Sequence, residues 1–249
     1  IKISGKTYPF GGACNRWYNL RTHIKVEEGD FNHVARYERI IFPLPAGPQE
    51  EKAVTARVIG INKSFMVNTY FALYRTFFEN LGFRVVVPAT AEQEGIDKKS
   101  APFCYPAELA HGYFINLLKQ DPDFLFLPQL KGDYVENGPD KGVSCPLSQG
   151  EPYYLAPAFK DHDVYSRIKA SGRILNPVID FSAGLSRAEE AFLEMADRLG
   201  AGRQRGITAF RRAVEEQTAC ANRLKETGTK ALAAVEADPD SFGVVIFGR

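Results

Sequence analysis

Between Arg57 and Leu127 three short apolar runs alternate with two longer amphipathic stretches, and this alternation restricts the available folds more than any other feature. The runs are Arg57–Ile61, Phe83–Val87 and Phe124–Leu127. Ser64 is placed to cap a helix reaching about Asn80, with Phe65, Thr69, Ala72, Leu73, Phe77 and Leu81 near helical spacing and Gly82 beyond its end. Pro106 opens a second helix through Leu109, Tyr113, Ile115 and Leu118, and Pro128 stops the third run. Strand, helix, strand, helix, strand at this spacing requires crossover connections and predicts a parallel sheet, flavodoxin-like or Rossmann-like. The expected fold class is α/β, with an irregular β segment before the sheet and helices after it.

Three segments follow from that reading. Residues 1–52 read as a β/loop segment carrying Cys14. In it Ile1–Ile3 and Lys6–Tyr8 flank Ser4-Gly5 as a hairpin, and Tyr37–Phe42 is a further candidate strand closed by Pro43, Pro45 and Pro48. Residues 53–182 form the Rossmann-like domain. Inside it Pro128–Tyr154, rich in Gly, Pro and Asp, reads as a long functional loop. Ile174–Phe181 reads as another strand, with Pro177 marking an edge or linker. Residues 183–249 read as a helical connection: Ser186 caps a helix to about Leu199, and a long helix interrupted near Gly228 runs from about Gln204 to Val235. It delivers the chain to Val244–Phe247, expected as the first strand of a second α/β domain cut short. The chain opens at Ile1 and stops just after that apolar run, so it reads as a piece of a longer polypeptide.

Composition excludes several classes. Thirty-one basic and 30 acidic residues leave a formal charge of +1, which gives no field to draw nucleic acid or an anionic membrane. No apolar run approaches the roughly 18 residues of a membrane span, and no charged-then-apolar leader opens the chain. The expected location is cytoplasmic, and the sequon Asn62-Lys63-Ser64 reads as accidental. Gly5-Lys6-Thr7 lacks the upstream Gly and following helix of a phosphate loop. Nucleophile-elbow, zincin and dinucleotide-binding motifs are missing too, so covalent hydrolase chemistry has no support.

Four cysteines in 249 residues do not make a disulfide framework. Buried thiols, a redox or nucleophilic cysteine, or metal ligands remain open, and no Cys-x-x-Cys pair offers a local metal signature. Their settings differ. Cys14 follows Gly11-Gly12 in a loop, Cys104 stands two residues before Pro106 at a helix start, and Cys145 precedes Pro146. Cys104 and Cys145 fall on the edge formed by the strand C-termini, where open α/β sheets bind ligands. Cys220 lies within a helix and fits a buried small hydrophobe. His111 is a candidate second-layer donor at that edge, though a packed or capping histidine is the commoner role. The Tyr153-Tyr154 pair reads as ordinary packing, and Arg203/Arg205 and Arg211/Arg212 as a solvated helix face or a contact for an acidic partner domain.

These residues carry a resemblance. Gly5-Lys6, Tyr8-Pro9-Phe10-Gly11-Gly12-Ala13-Cys14, Ile59-Gly60-Ile61, Phe77-Phe78-Glu79-Asn80-Leu81-Gly82-Phe83, Cys104-Tyr105-Pro106-Ala107-Glu108-Leu109-Ala110-His111-Gly112 and Cys145-Pro146 resemble motifs of the activase-related proteins of acyl-CoA dehydratases. These are large proteins of anaerobic bacteria. The chain departs from them at Asn62-Lys63, where relatives tend to have Pro-Arg. The resemblance implies that Cys14, Cys104 and Cys145 ligate an iron–sulfur cluster, 4Fe–4S or one half of a double cubane. Three thiolates on one cubane leave one iron open for substrate, sulfide or another cluster.

The resemblance further implies an electron-acceptor module of an ATP-driven low-potential reductase or 2-hydroxyacyl-CoA dehydratase-like system. Its partners would be an ATPase-like activator and a dehydratase-like domain, on the same or a partner polypeptide, and this chain alone is expected to be inactive. The alternative is a non-catalytic scaffold domain whose cysteines are buried or bind zinc.

Overall fold

The computed structural model describes residues 32–43, 56–100, 104–135, 142–239, 243 and 245, together with the backbone of 2–3 and 6–7. Cys14 lies outside the described residues, as does Val244–Phe247 apart from Val245, which is in no regular element. Strands β1 (Lys2–Ile3) and β2 (Lys6–Thr7) pair antiparallel, as the hairpin reading expects.

Tyr37–Phe42 is not a strand. His33–Ile41 form helix α1, because the Asn32 side chain accepts from Ala35 N at 2.9 Å and caps the first turn. Ile41 then meets the core, the one buried residue of this helix.

The central sheet takes β3 (Val58–Ile61), β4 (Arg84–Val86), β5 (Phe124–Phe126) and β8 (Ile174–Leu175) in the order β4-β3-β5-β8, every pair parallel. Counted within this sheet the order is 2-1-3-4, the flavodoxin-like arrangement for the strands present. Helix α2 (Val67–Asn80) connects β3 to β4. The short α3 (Gln93–Ile96) and α4 (Tyr105–Leu118) connect β4 to β5.

Each face of the sheet carries its own apolar cluster. Along β5 the side chains alternate: Phe124 and Phe126 join Tyr74, Phe77, Phe78 and Phe192 on one face. Leu125 and Leu127 join Phe114, Leu117, Leu155, Phe159 and Ile168 on the other. The first cluster is packed edge to face, with Tyr74–Phe126 centroids at 4.9 Å and Phe77–Phe192 at 4.8 Å. The second is covered by α4, by α6 (Glu151–Ala158) and by α7 (Asp163–Ala170).

Among its described residues the expected long loop Pro128–Tyr154 is mostly regular. It contains β6 (Gln129–Asp133), β7 (Gly142–Val143), α5 (Pro146–Gln149) and the start of α6. The strand expected over Ile174–Phe181 is two strands, β8 and β9 (Val178–Asp180), split by Pro177. Pro128 splits β5 from β6 in the same way, and β6 pairs β9 in parallel beyond the break, with β7 antiparallel on its other side. A proline on each strand removes a ladder donor where the two sheets part.

Ser186 does not cap a helix by its side chain; a 3-10 turn over Leu185–Ala188 leads into α8 (Glu189–Arg198). Helix α9 (Arg203–Ala237) runs 35 residues through Gly228 without interruption. Of the arginines on α9, Arg203 pairs both oxygens of Glu190, Arg205 donates to Leu81 O at 3.0 Å and Arg212 donates to Asn80 Oδ1 at 3.0 Å. They tie α9 to its neighbours.

Candidate site at the C-terminal edge of the sheet

The chain leaves β3 and crosses to α2 by way of Asn62, Lys63 and Ser64, at the switch point where β4 goes to one side and β5 to the other. Ser64 does not cap α2, which starts at Val67 with no side-chain cap. Phe65 takes a φ of +40°, an uncommon left-handed turn for a non-glycine residue. The Ser64 hydroxyl instead donates to Glu151 Oε1 at 2.6 Å. Asn62 Nδ2 donates to the same oxygen at 2.6 Å and to Ala110 O of α4 at 3.1 Å. One carboxyl thus ties the β3–α2 loop to α6, and Asn62 ties both to α4. Asn62, 1% exposed, is inside the fold, so the sequon is inaccessible.

Cys104 is the N-cap residue of α4 and Cys145 that of α5, neither making a side-chain cap bond. Cys104 is half-buried and Cys145 exposed, and both thiols are free. Tyr154, one turn along α6 from Glu151, lies near enough to both cysteines and to Glu151 that their charges, after burial itself, push its phenol upward. The structure therefore brings Cys104 and Cys145 to the surroundings of one phenol; Cys14 is outside the described residues. Among the described residues no group of three or more His, Cys, Asp or Glu is placed to hold a metal ion. The fourth cysteine, Cys220, is buried in α9 against Ile40 O of α1, and burial pushes its thiol up.

His111 is packed beneath this edge. Its Nδ1 lies 2.7 Å from Ala107 O, and its ring stacks on Tyr154 with centroids 5.2 Å apart. Burial pushes its pKa down, opposed by the Ala107 contact, so at neutral pH Nδ1 carries the proton and donates it to that carbonyl.

Glu151 is 3% exposed, and burial raises its pKa to about 7 against the two hydrogen bonds from Ser64 and Asn62. Sequence reasoning missed it. Gly150-Glu151-Pro152 looks like a solvated acidic first turn, and only packing brings residue 151 to residue 62. Tyr154 also exceeds its expected role. Tyr153 points outward, 66% exposed, whereas Tyr154 Oη is buried with no protein partner, as is Asn62 Oδ1.

These features define a parallel-sheet α/β protein with two free thiols and a buried carboxyl, hydrogen-bonded but without an ion-pair partner among the described residues, gathered at the switch point. A family model described as CoA enzyme activase uncharacterised domain matches residues 58–249, and the chain belongs to that family. The match begins at the first residue of β3, spans both described thiols of the edge, and agrees with the resemblance to acyl-CoA dehydratase activase-related proteins. No curated protein and no solved structure matches the chain. Membership sets the domain in the context of CoA-enzyme activation. Among the described residues no helix is long and apolar enough to cross a membrane.

Proposed function

We propose that Cys104 and Cys145, joined by Cys14, hold an iron–sulfur cluster, 4Fe–4S or one half of a double cubane. The domain would accept electrons in an ATP-driven low-potential reductase or a 2-hydroxyacyl-CoA dehydratase-like system. The observation that supports the reading is the position of Cys104 and Cys145 at two helix starts on one sheet edge, both within electrostatic reach of Tyr154. When bound, such a cluster supplies one-electron chemistry at low potential.

The chain's own residues would set its surroundings. The first turn of α4 offers N–H groups that no side chain caps, which stabilise negative charge beside Cys104. The Tyr154–His111 stack and the Phe114–Phe159 pair beneath it would give its inner side an aromatic lining. The donor would be an ATPase-like activator and the recipient a dehydratase-like domain, on the same or a partner polypeptide.

Anaerobic preparation of the full chain tests this. The expected product contains iron with matching acid-labile sulfide and a broad visible absorption band. Cys104→Ser and Cys145→Ser should each reduce bound iron to background while the far-ultraviolet circular dichroism stays that of the parent. Zinc in place of iron, or a metal-free protein with iron and sulfide supplied, would sink the reading and leave a scaffold domain.

A further inference from the structure

We infer that Glu151 is the proton-holding residue of this edge, a buried carboxyl that takes up a proton from solvent when negative charge arrives at the Cys104/Cys145 pole. The source of that charge rests on the electron-acceptor reading above; the proton site itself stands on geometry.

The carboxyl is enclosed by neutral donors. Asn62 Nδ2 and Ser64 Oγ both fall on Oε1, each at 2.6 Å, and Glu151 has no ion-pair partner among the described residues. The charged groups around it are otherwise engaged. On the β3–α2 loop Lys63 turns outward, bonding Glu38 and lying 4.6 Å over the Phe42 ring. On α4 Glu108 pairs with Lys99 at 3.0 Å, and His111 stays neutral against Ala107 O. Cys104 at the start of α4, Cys145 at the start of α5 and Tyr154 on α6 complete the described surroundings and bring no cation. A carboxylate buried without a cation is costly, and binding a proton removes the cost.

Tyr154 links this carboxyl to the pole. It follows Glu151 by three residues on α6, so the two side chains share a helix face. The charges of Glu151, Cys104 and Cys145 all act on its phenol. Of the buried side chains here whose proton affinity burial shifts, Tyr154 is pushed up, His111 is pushed down, and Glu151 sits at about 7. Among these Glu151 is the one that exchanges its proton near neutrality. Asn62 Oδ1 and Tyr154 Oη, buried without protein partners, supply an acceptor and a donor for a path of water to it.

The step balances simply. One electron from the low-potential reductant adds one negative charge at the pole. One proton from water adds to the Glu151 carboxylate and forms an O–H bond, so the net charge of the edge is unchanged.

Two measurements test the inference and separate its failure from that of the electron-acceptor reading. Infrared difference spectra of the metal-free full chain should show a protonated-carboxyl band that disappears with a midpoint of about 7 and is missing in Glu151→Gln. Ser64→Ala, which removes a bond favouring the charged form, should raise that midpoint. An unmoved midpoint in Ser64→Ala, or the same band in Glu151→Gln, overturns the proton site.

In the cluster-loaded chain the reduction potential should fall as pH rises above about 7. The slope should reach up to about 59 mV per tenfold fall in proton activity for one electron coupled to one proton. Glu151→Gln should abolish that dependence. A pH-independent potential in the loaded parent overturns the coupling and leaves the cluster reading standing. Failure to load any cluster overturns the electron-acceptor reading and the coupling with it, while the infrared midpoint still decides whether Glu151 holds the proton.

Discussion

Glu151 has a consequence for stability that does not depend on any metal. Unfolding returns the carboxyl to water and to its ordinary value of 4.5, whereas the folded chain holds it at about 7. A raised carboxyl pKa means that the folded state binds the proton more tightly. The contribution is therefore fully present below pH 4.5, declines as pH rises to about 7, and is constant beyond. At about 1.4 kcal/mol per pH unit, the gap amounts to about 3 kcal/mol. Urea unfolding across that window should show the parent losing stability relative to Glu151→Gln by about this amount. A difference between the two proteins that stays flat with pH would mean the carboxyl is solvated. Nothing in the local sequence announces this residue. Asn62 and Glu151 are 89 positions apart, and each taken alone has a bland surface reading.

At the scale of elements, the sheet was legible because β3, β4 and β5 are apolar runs of strand length separated by helices with a buried stripe. What was not legible depended on partners distant in sequence. Tyr37–Phe42 has the composition of a strand, yet the Asn32 cap and the contact of Ile41 with the core select a helix. Ser64 has the composition of a cap, yet it is taken by Glu151. The clamp of α3 on α4 was also invisible, because it depends on two glycines. A Cβ on Gly95 would lie 2.2 Å from His111 O and 2.8 Å from Ile115 Cγ2. One on Gly112 would lie 3.0 Å from Glu92 O, whose residue donates its own N–H to Gly112 O at 3.0 Å. Backbone cannot yield as a side-chain tip can. Gly95→Ala should therefore cost at least the ~1–3 kcal/mol of an overpacked core, more than Gly112→Ala. It should also disturb the His111–Tyr154 stack, seen as a shifted His111 imidazole resonance. Parent-like urea midpoints for Gly95→Ala would refute the clamp.

At the scale of the whole molecule, α9 spans two regimes. Thirty-five residues at about 1.5 Å each make a rod of about 52 Å. Its first half is anchored: Gly206, Ala209, Phe210, Ala213, Gln217 and Cys220 are buried at three- and four-residue spacing. Gln217 reaches into α2, accepting from Leu73 N at 3.2 Å and donating to Thr69 O at 2.8 Å. After Cys220 no α9 side chain is buried, and Leu232 is exposed. The sequence suggested a break at Gly228, which costs up to about 1 kcal/mol relative to alanine in a helix interior. Ala231, Ala233, Ala234 and Ala237 favour the helix in the turns that follow, and the rod continues through the glycine. Such a helix should open from its far end. A stretch with no buried side chain is marginal in water, whereas amides under a packed face open only with much of the core. Amide exchange read by mass spectrometry should be slower over 206–220 than over 222–237 by ~100-fold or more, a difference of about 2.7 kcal/mol in opening free energy. Loss of the Gln217 bonds in Gln217→Ala should speed the first segment and leave the second unchanged. Equal protection along the whole rod would show that the outer half is held by contacts other than its own backbone.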